Sequence, residues 1–275
     1  MVALTRMSVR PTLESMLQLG TEENATPGAI CPDRLGRRLA ARAADWALLL
    51  DIDGTLLDMA PSPNGVEIPP GLVETLARLK RHFAGAVALV TGRRIVDADR
   101  FFDPLQLIAL GVHGAEARPV PRGSISLLGD PVPRSLIREV HAVADALPGV
   151  LVEDKGVGLA VHYRHAPEAK NALEGELKRL MRSWESFTVR PGRKVLDVVP
   201  RAHSKGTGLA WLMRLPAFKG RRPVMIGDDH GDEPALRAAE RLGGHGLRVA
   251  GEHFRTGEFP GPAGVRAWLA RLGLE

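Results

Sequence analysis

Apolar runs and amphipathic stretches alternate along most of the chain. The run 46–50, Trp-Ala-Leu-Leu-Leu, has neither helical period nor polar alternation, so it reads as a strand buried on both faces. Buried strands are also predicted at 86–90, 107–110, 223–226 and 246–249. Between the first two, Pro69-Pro70 opens a helix that Leu72, Leu76 and Leu79 make amphipathic, after a loop marked by Pro61, Pro63 and Asn64-Gly65. Further helices are predicted at 202–215, 234–242 and 262–272. Strand, helix, strand in this order is the βαβ unit of a parallel α/β sheet.

From about Arg118 the pattern changes: a helix at 133–147 precedes short strands at 150–153 and 158–164, and a helix at 167–184 precedes strands at 187–190 and 194–198. Helix followed by paired strands, twice over, describes an inserted α+β layer with an antiparallel sheet. The expected organisation is an N-terminal extension (1–44), a parallel-sheet core (45–117 and 200–275) and the insertion (118–199). Within the extension, 21–32 is polar and turn-rich and reads as flexible, and 34–44 reads as a short basic helix forming a solvated cover.

The strands end in polar clusters, where ligands of open parallel sheets bind. The first ends in Asp51-Ile52-Asp53-Gly54-Thr55, two carboxylates with the same side-chain direction followed by a residue suited to a tight turn. Such a pair suits a hard cation or separate acid and nucleophile duties, but it also occurs as an ordinary strand-ending turn. A calcium loop is excluded, because Thr55-Leu56-Leu57 puts apolar residues where further ligands belong. Thr91, Lys205, and Asp228 with Asp229 end the same sheet edge. Phosphoryl transfer needs such a set, since the protein must align a nucleophile and neutralise phosphoryl oxygens. Magnesium requires hard oxygen ligands, which Asp51, Asp228 and a backbone carbonyl supply. Neither nucleotide-cradling glycine signature is present.

Composition narrows the partners. The 275 residues carry a net charge of +5 but only 4% aromatics, and the arginines are dispersed beside acidic residues, which argues against a nucleic-acid surface and remains compatible with a small anionic substrate. Cys31 is the only cysteine, so no disulfide framework is expected and a reducing cytoplasm is the simplest compartment. No run is long enough for a membrane helix, and the start lacks an apolar signal region.

Asp51-Ile52-Asp53-Gly54-Thr55, Thr91, Lys205 and Gly227-Asp228-Asp229, in this order at strand ends, resemble the four motifs of the haloacid-dehalogenase-like (HAD) phosphatases. Within that superfamily the chain resembles the trehalose-6-phosphate phosphatases from about Trp46 onward. The closer marks are Thr91-Gly92-Arg93, Gly111-Val112-His113-Gly114-Ala115-Glu116, Glu153-Asp154-Lys155, His162-Tyr163-Arg164 and Gly227-Asp228-Asp229-His230-Gly231-Asp232-Glu233. The resemblance implies a HAD-like Rossmannoid core with an α+β cap, and hydrolysis of trehalose 6-phosphate through an aspartyl phosphate. It implies Asp51 as nucleophile, Asp53 as acid and base, and Thr91 and Lys205 on the phosphoryl group. Mg2+ would be held by Asp51, the Asp53 carbonyl and Asp228, supported by Asp229 and Asp232.

Sugar contacts are implied for Glu153, Lys155, Arg164, Arg193 and Asp197, and substrate binding for Arg93. Arg193 stands where the family usually has Lys, and Asp197 where it usually has Glu. His113 is expected to face the substrate or the domain junction, or simply to stabilise its turn. Glu153 with Lys155 also reads as a surface ion pair, and Arg93 as a loop anchor. The expected partners are a small-molecule sugar phosphate and, in the pathway, a trehalose-6-phosphate synthase, with a monomeric chain and neither nucleic acid nor membrane. Competing readings are a phosphatase for sucrose phosphate or a glucosyl- or mannosylglycerate phosphate, and a non-catalytic subunit of a sugar synthase complex.

Overall fold

A computed structural model gives the structure of residues 30–59, 65–251 and 253–272. Most of the expected flexible stretch 21–32, and the loop prolines Pro61 and Pro63, lie outside these residues. Helix α1 (Pro32–Ala41) is the short basic helix of the extension, but its inner face is dry: Leu35 and Leu39 are fully buried, and its carbonyl at Pro32 accepts from Trp268 Nε1 at 2.8 Å.

The parallel core begins with β1 (Trp46–Leu50), α2 (Leu72–His82), β2 (Val87–Val90), α3 (Ile95–Phe102) and β3 (Ile108–Gly111). All residues of these three strands are buried, as expected for strands covered by helices on both faces. Helix α3 was not legible as a period. It is only 8 residues long, and its buried positions Ile95, Ala98 and Phe102 are interrupted by Asp97, Asp99 and Arg100.

Two further strands, β4 (Glu116–Arg118) and β5 (Ser126–Leu127), continue this sheet antiparallel to β3, so β5 pairs within the first sheet although it falls in the range expected for the insertion. Arg118 hides β4 from a hydrophobic reading. Its guanidinium is buried because Asp99 and the carbonyl of Leu107 satisfy it.

The inserted layer runs α4 (Arg134–Asp145), β6 (Leu151–Asp154), β7 (Leu159–His162), α5 (Lys170–Leu180), β8 (Phe187–Gly192) and β9 (Val195–Pro200). Its strands form an antiparallel sheet in the order β6-β7-β9-β8. Alternation divides that sheet into two faces. Leu159, Val161, Leu196 and Val198 pack under α4 and α5, whereas Glu153, His162, Val195 and Asp197 line the cavity on the other side.

The chain then returns through α6 (Lys205–Leu212), β10 (Arg222–Gly227), α7 (Glu233–Arg241), β11 (His245–Arg248) and α8 (Pro262–Arg271). The first sheet has the order β11-β10-β1-β2-β3-β4-β5. From β1 the chain builds outward through β2 and β3, and only later fills the other side with β10 and β11. The reversal places a crevice at the carboxyl ends of β1 and β10, where ligands of such sheets bind. The two layers have separate hydrophobic cores, and a small cluster of Val112, Ala115 and Val157 joins them.

Candidate active site

The crevice gathers the polar strand ends. Asp51 follows β1 directly, its backbone N–H still bonded to Ile226 of β10 at 3.0 Å, so its position is fixed by the sheet ladder. Gly54 then turns the chain at φ +80°, and its N–H donates to Leu57 O at 2.8 Å. Only a residue without Cβ fits: a methyl there would lie 2.1 Å from Asp228 Oδ2.

Lys205 enters as the first residue of α6, after Ser204, whose hydroxyl accepts from Thr207 N and so caps the helix. A cation at a helix N-terminus opposes the helix dipole, and carboxylates compensate here. Lys205 Nζ donates to Asp51 Oδ1 at 2.7 Å and to Asp232 Oδ1 at 2.6 Å. Burial alone would lower the ammonium pKa, but Asp232 and Asp51 outweigh it and hold Lys205 cationic well above the usual lysine range.

Asp232 completes the turn after β10. Its second oxygen accepts from the N–H groups of Asp228 and Asp229, each at 3.2 Å, and its own N–H donates to Asp229 Oδ1 at 3.0 Å. Carboxylate oxygens of Asp51, Asp228 and Asp232 lie within 4.8 Å of one another. Both oxygens of Asp232 are already engaged, so it serves the loop and Lys205, leaving Asp51 and Asp228 as the available ligands. Burial, reinforced by Asp51 and Asp229, pushes the Asp228 carboxyl up to about 8; burial also raises Asp51 to about 6, against the opposing pull of Lys205. Carboxylates that resist ionising together form a hard-oxygen donor set suited to a divalent cation, which would take the place of the proton on Asp228.

On the other side of Asp51, the Thr91-Gly92-Arg93 turn follows β2. Thr91 Oγ1 accepts from Arg93 N at 3.1 Å, leaving its hydroxyl hydrogen available to a ligand. Arg93 grips Asp53 with a two-pronged fork, both distances 2.6 Å, and its guanidinium lies 4.8 Å from the ring centre of Phe101. Arg93 therefore does more than anchor its own loop.

A cavity of about 680 Å3 extends from these groups to the inserted layer, and Glu153, Lys155, Arg164, Arg193 and Asp197 all line it. The expected Glu153–Lys155 surface pair does not form. Glu153 instead binds His162 at 2.9 Å, a diagonal cross-strand neighbour, and this bond is the main reason its pKa is lowered. Lys155 turns to Asp197 at 3.0 Å and to the carbonyl of Gly92 at 3.1 Å. Burial would raise the Asp197 pKa, but Lys155 and His113 hold it well below the carboxylate range.

His113 therefore sits at the junction of the two layers, with Nε2 3.2 Å from Asp197 Oδ2. The sequence reading gave no role to His162, Phe101 or Glu116. His162 was accessible, since it lies two residues before Arg164 in the same motif. Glu116, whose carboxylate accepts from Ile95 N at 2.7 Å, acts on a helix that was not anticipated.

A family model described as trehalose-phosphatase matches residues 49–264. The chain belongs to the trehalose-phosphatase family. The Sinorhizobium fredii protein described as a probable trehalose-phosphate phosphatase is 37% identical over 91% of this chain and 96% of its own length. The Escherichia coli trehalose-6-phosphate phosphatase is 34% identical over 84% of this chain and 87% of its own length. Among solved structures, the C-terminal domain of C. albicans trehalose-6-phosphate phosphatase superposes with a TM-score of 0.72 at 19% identity, covering 86% of this chain and 96% of that one. As a trehalose-phosphatase family member the chain is a phosphatase with a HAD-like core and an α+β cap, and no helix among its described residues is long and apolar enough to cross a membrane.

Proposed function

We propose that this chain hydrolyses trehalose 6-phosphate to trehalose and inorganic phosphate, with Asp51 as the nucleophile. The observation that carries the reading is the buried Asp51–Lys205–Asp232 arrangement beside Asp228, at the floor of a cavity whose roof is the polar face of the cap sheet. A cavity of about 680 Å3 is in the size range of small-molecule sites and offers a sugar charged and polar groups on several sides.

In this mechanism an Asp51 oxygen forms a bond to phosphorus while the bond from phosphorus to the sugar oxygen breaks. The departing oxygen takes a proton from Asp53. Water then attacks phosphorus, passes a proton to Asp53 and releases phosphate, regenerating the Asp51 carboxylate. For Asp53 to act as an acid, the Arg93 fork must free at least one of its oxygens, and an arriving phosphoryl group is the anion that competes for Arg93. Thr91 and Lys205 take up the other phosphoryl oxygens, Lys205 as a point charge. Magnesium held by Asp51, the Asp53 carbonyl and Asp228 would supply Lewis-acid neutralisation of the phosphoryl group, with Asp229 and Asp232 supporting the loop. Glu153, Arg164 and Arg193 bind the sugar from the cap. The reading includes a monomeric enzyme in a reducing cytoplasm, consistent with Cys31 as sole cysteine, supplied with substrate by a trehalose-6-phosphate synthase.

The test is phosphate release from a panel of disaccharide and sugar-acid phosphates with added magnesium. Trehalose 6-phosphate is expected to give the highest kcat/KM. Asp51→Asn is expected to lower turnover on the order of 10^3-fold or more while remaining folded by circular dichroism. Normal turnover by folded Asp51→Asn would overturn the mechanism, and a higher kcat/KM on another panel member would overturn the substrate.

A further inference from the structure

We propose that His113 is a positioning residue: through Asp197 and Lys155 it ties the sugar-facing surface of the cap to the phosphate-facing turn of the core. This latch makes efficient hydrolysis depend on the sugar. The inference rests on the proposed sugar-phosphate activity and concerns how the sugar is sensed.

The contacts form a closed circuit between the layers. From the cap, Lys155 Nζ reaches the core carbonyl of Gly92, next to Thr91 and Arg93, at 3.1 Å, and Asp197 Oδ1 at 3.0 Å. From the core, His113 Nε2 reaches the other Asp197 oxygen at 3.2 Å, and the His113 backbone N–H donates to Thr91 O at 3.2 Å. Since the Asp197 carboxylate can only accept, Nε2 carries the imidazole proton. The ring also packs on the phosphate turn, because a methyl at Gly92 would lie 2.8 Å from His113 Cε1 and Nε2. One residue thus holds the phosphate turn by its backbone and ring while holding the cap by its imidazole N–H.

Two features set this circuit apart from incidental packing. Val112 and His113 both adopt left-handed backbone, φ +45° and +54°, and the former is β-branched. Such residues persist only where their surroundings over-determine them. Here the strained turn delivers the imidazole to Asp197 and Val112 to the apolar contact with Ala115 and Val157. Secondly, His113 Nδ1 is buried without a hydrogen-bond partner among the described residues, and His113 lines the cavity. A buried imidazole nitrogen left open in this way is satisfied when a ligand hydroxyl arrives.

A sugar hydroxyl meeting Lys155, Asp197 or the open His113 nitrogen therefore acts on the circuit through which Lys155 holds the Gly92 carbonyl. Occupancy by the sugar is transmitted to the phosphate turn over a single shared residue pair. A small aryl phosphate reaches Asp51 without engaging that pair, so cutting the latch costs it less than it costs the sugar phosphate.

The deciding experiment combines kinetics with a distance measurement. His113→Asn tolerates the left-handed backbone but is too short to reach Asp197, while His113→Gln restores an N–H donor on a longer arm. Lys155→Met cuts the circuit from the cap side. The expected result is a drop on the order of tenfold in the ratio of kcat/KM for trehalose 6-phosphate to that for an aryl phosphate in His113→Asn and Lys155→Met, with partial rescue in His113→Gln. Spin labels on the single native Cys31, which is exposed, and on exposed Lys178→Cys of the cap report the cap–core distance without substrate. That distribution is expected to broaden in His113→Asn and Lys155→Met. Equal losses on both substrates, or an unchanged distribution, would overturn the latch. A wild-type protein that cleaves aryl phosphates but not trehalose 6-phosphate would overturn the substrate reading alone, and the substrate-free distances would still decide the latch.

Discussion

Asp228 and Asp51 show how a single residue's surroundings become a property of the protein. In the fold, burial pushes their carboxyls up to about 8 and about 6 from an ordinary value of 3.8. The metal-free folded state therefore holds protons that the unfolded chain has released. Stability from these two groups is full below about pH 4 and is lost as pH rises through 6 and then 8. The melting temperature of chelated protein is expected to fall between about pH 5 and pH 8, and added magnesium to restore it more at pH 8 than at pH 5. A flat pH profile in chelator, or no response to magnesium, would contradict this. Gly54→Ala is expected to be worse than its size suggests. The methyl would collide with Asp228 Oδ2 at 2.1 Å, and left-handed backbone adds about 1–2 kcal/mol for a residue with Cβ. Titration calorimetry is expected to show magnesium affinity reduced about tenfold or more, the equivalent of 1.4 kcal/mol.

At the scale of elements, the short helix α3 is the least obvious support of the site. Its first turn has no side-chain cap of its own, and Glu116 reaches across from β4 to accept from Ile95 N at 2.7 Å. Burial raises the Glu116 pKa, and the Ile95 bond partly offsets this. Glu116→Ala is expected to cost about 0.5–2 kcal/mol, as for loss of a helix cap, and Glu116→Gln distinctly less. Hydrogen exchange in Glu116→Ala should rise first in the 91–98 segment; protection unchanged there would show that the cap contributes nothing to the turn. The cap sheet is a contrasting element, legible from the order of helices and paired short strands. In β9 the sequence Val195-Leu196-Asp197-Val198 already separates a cavity face from a helix-covered face.

At the scale of the whole molecule, the core and the cap each have their own hydrophobic core, and the proposed function divides between them, phosphate chemistry on the core and sugar binding on the cap. Arg164→Ala, in the cap and lining the cavity, is accordingly expected to reduce kcat/KM on trehalose 6-phosphate on the order of tenfold and on an aryl phosphate far less. Equal losses would mean that Arg164 supports the fold or the chemistry and not the sugar. The N-terminal helix α1 joins the core as an outer layer, its Leu35 and Leu39 fully buried and Pro32 O bound to Trp268, so a chain lacking it should melt at lower temperature.

Sequence alone determined where the chemistry sits: Asp51 with Asp53, Thr91 and Asp228 follow strands whose apolar pattern is visible, because burial on both faces leaves a run of apolar residues, and Lys205 opens the helix through which the chain returns to the core. It also showed an inserted antiparallel layer, because helix followed by paired short strands, twice over, departs from the strand-helix-strand order of a parallel sheet. Tertiary structure alone decided the partners. Lys155 lies two residues from Glu153 along the chain yet binds Asp197 and Gly92, and Arg93 closes on Asp53 across 40 positions. Local periodicity encodes which face a side chain presents, whereas pairing between faces depends on how the layers are stacked, a relation between residues distant along the chain.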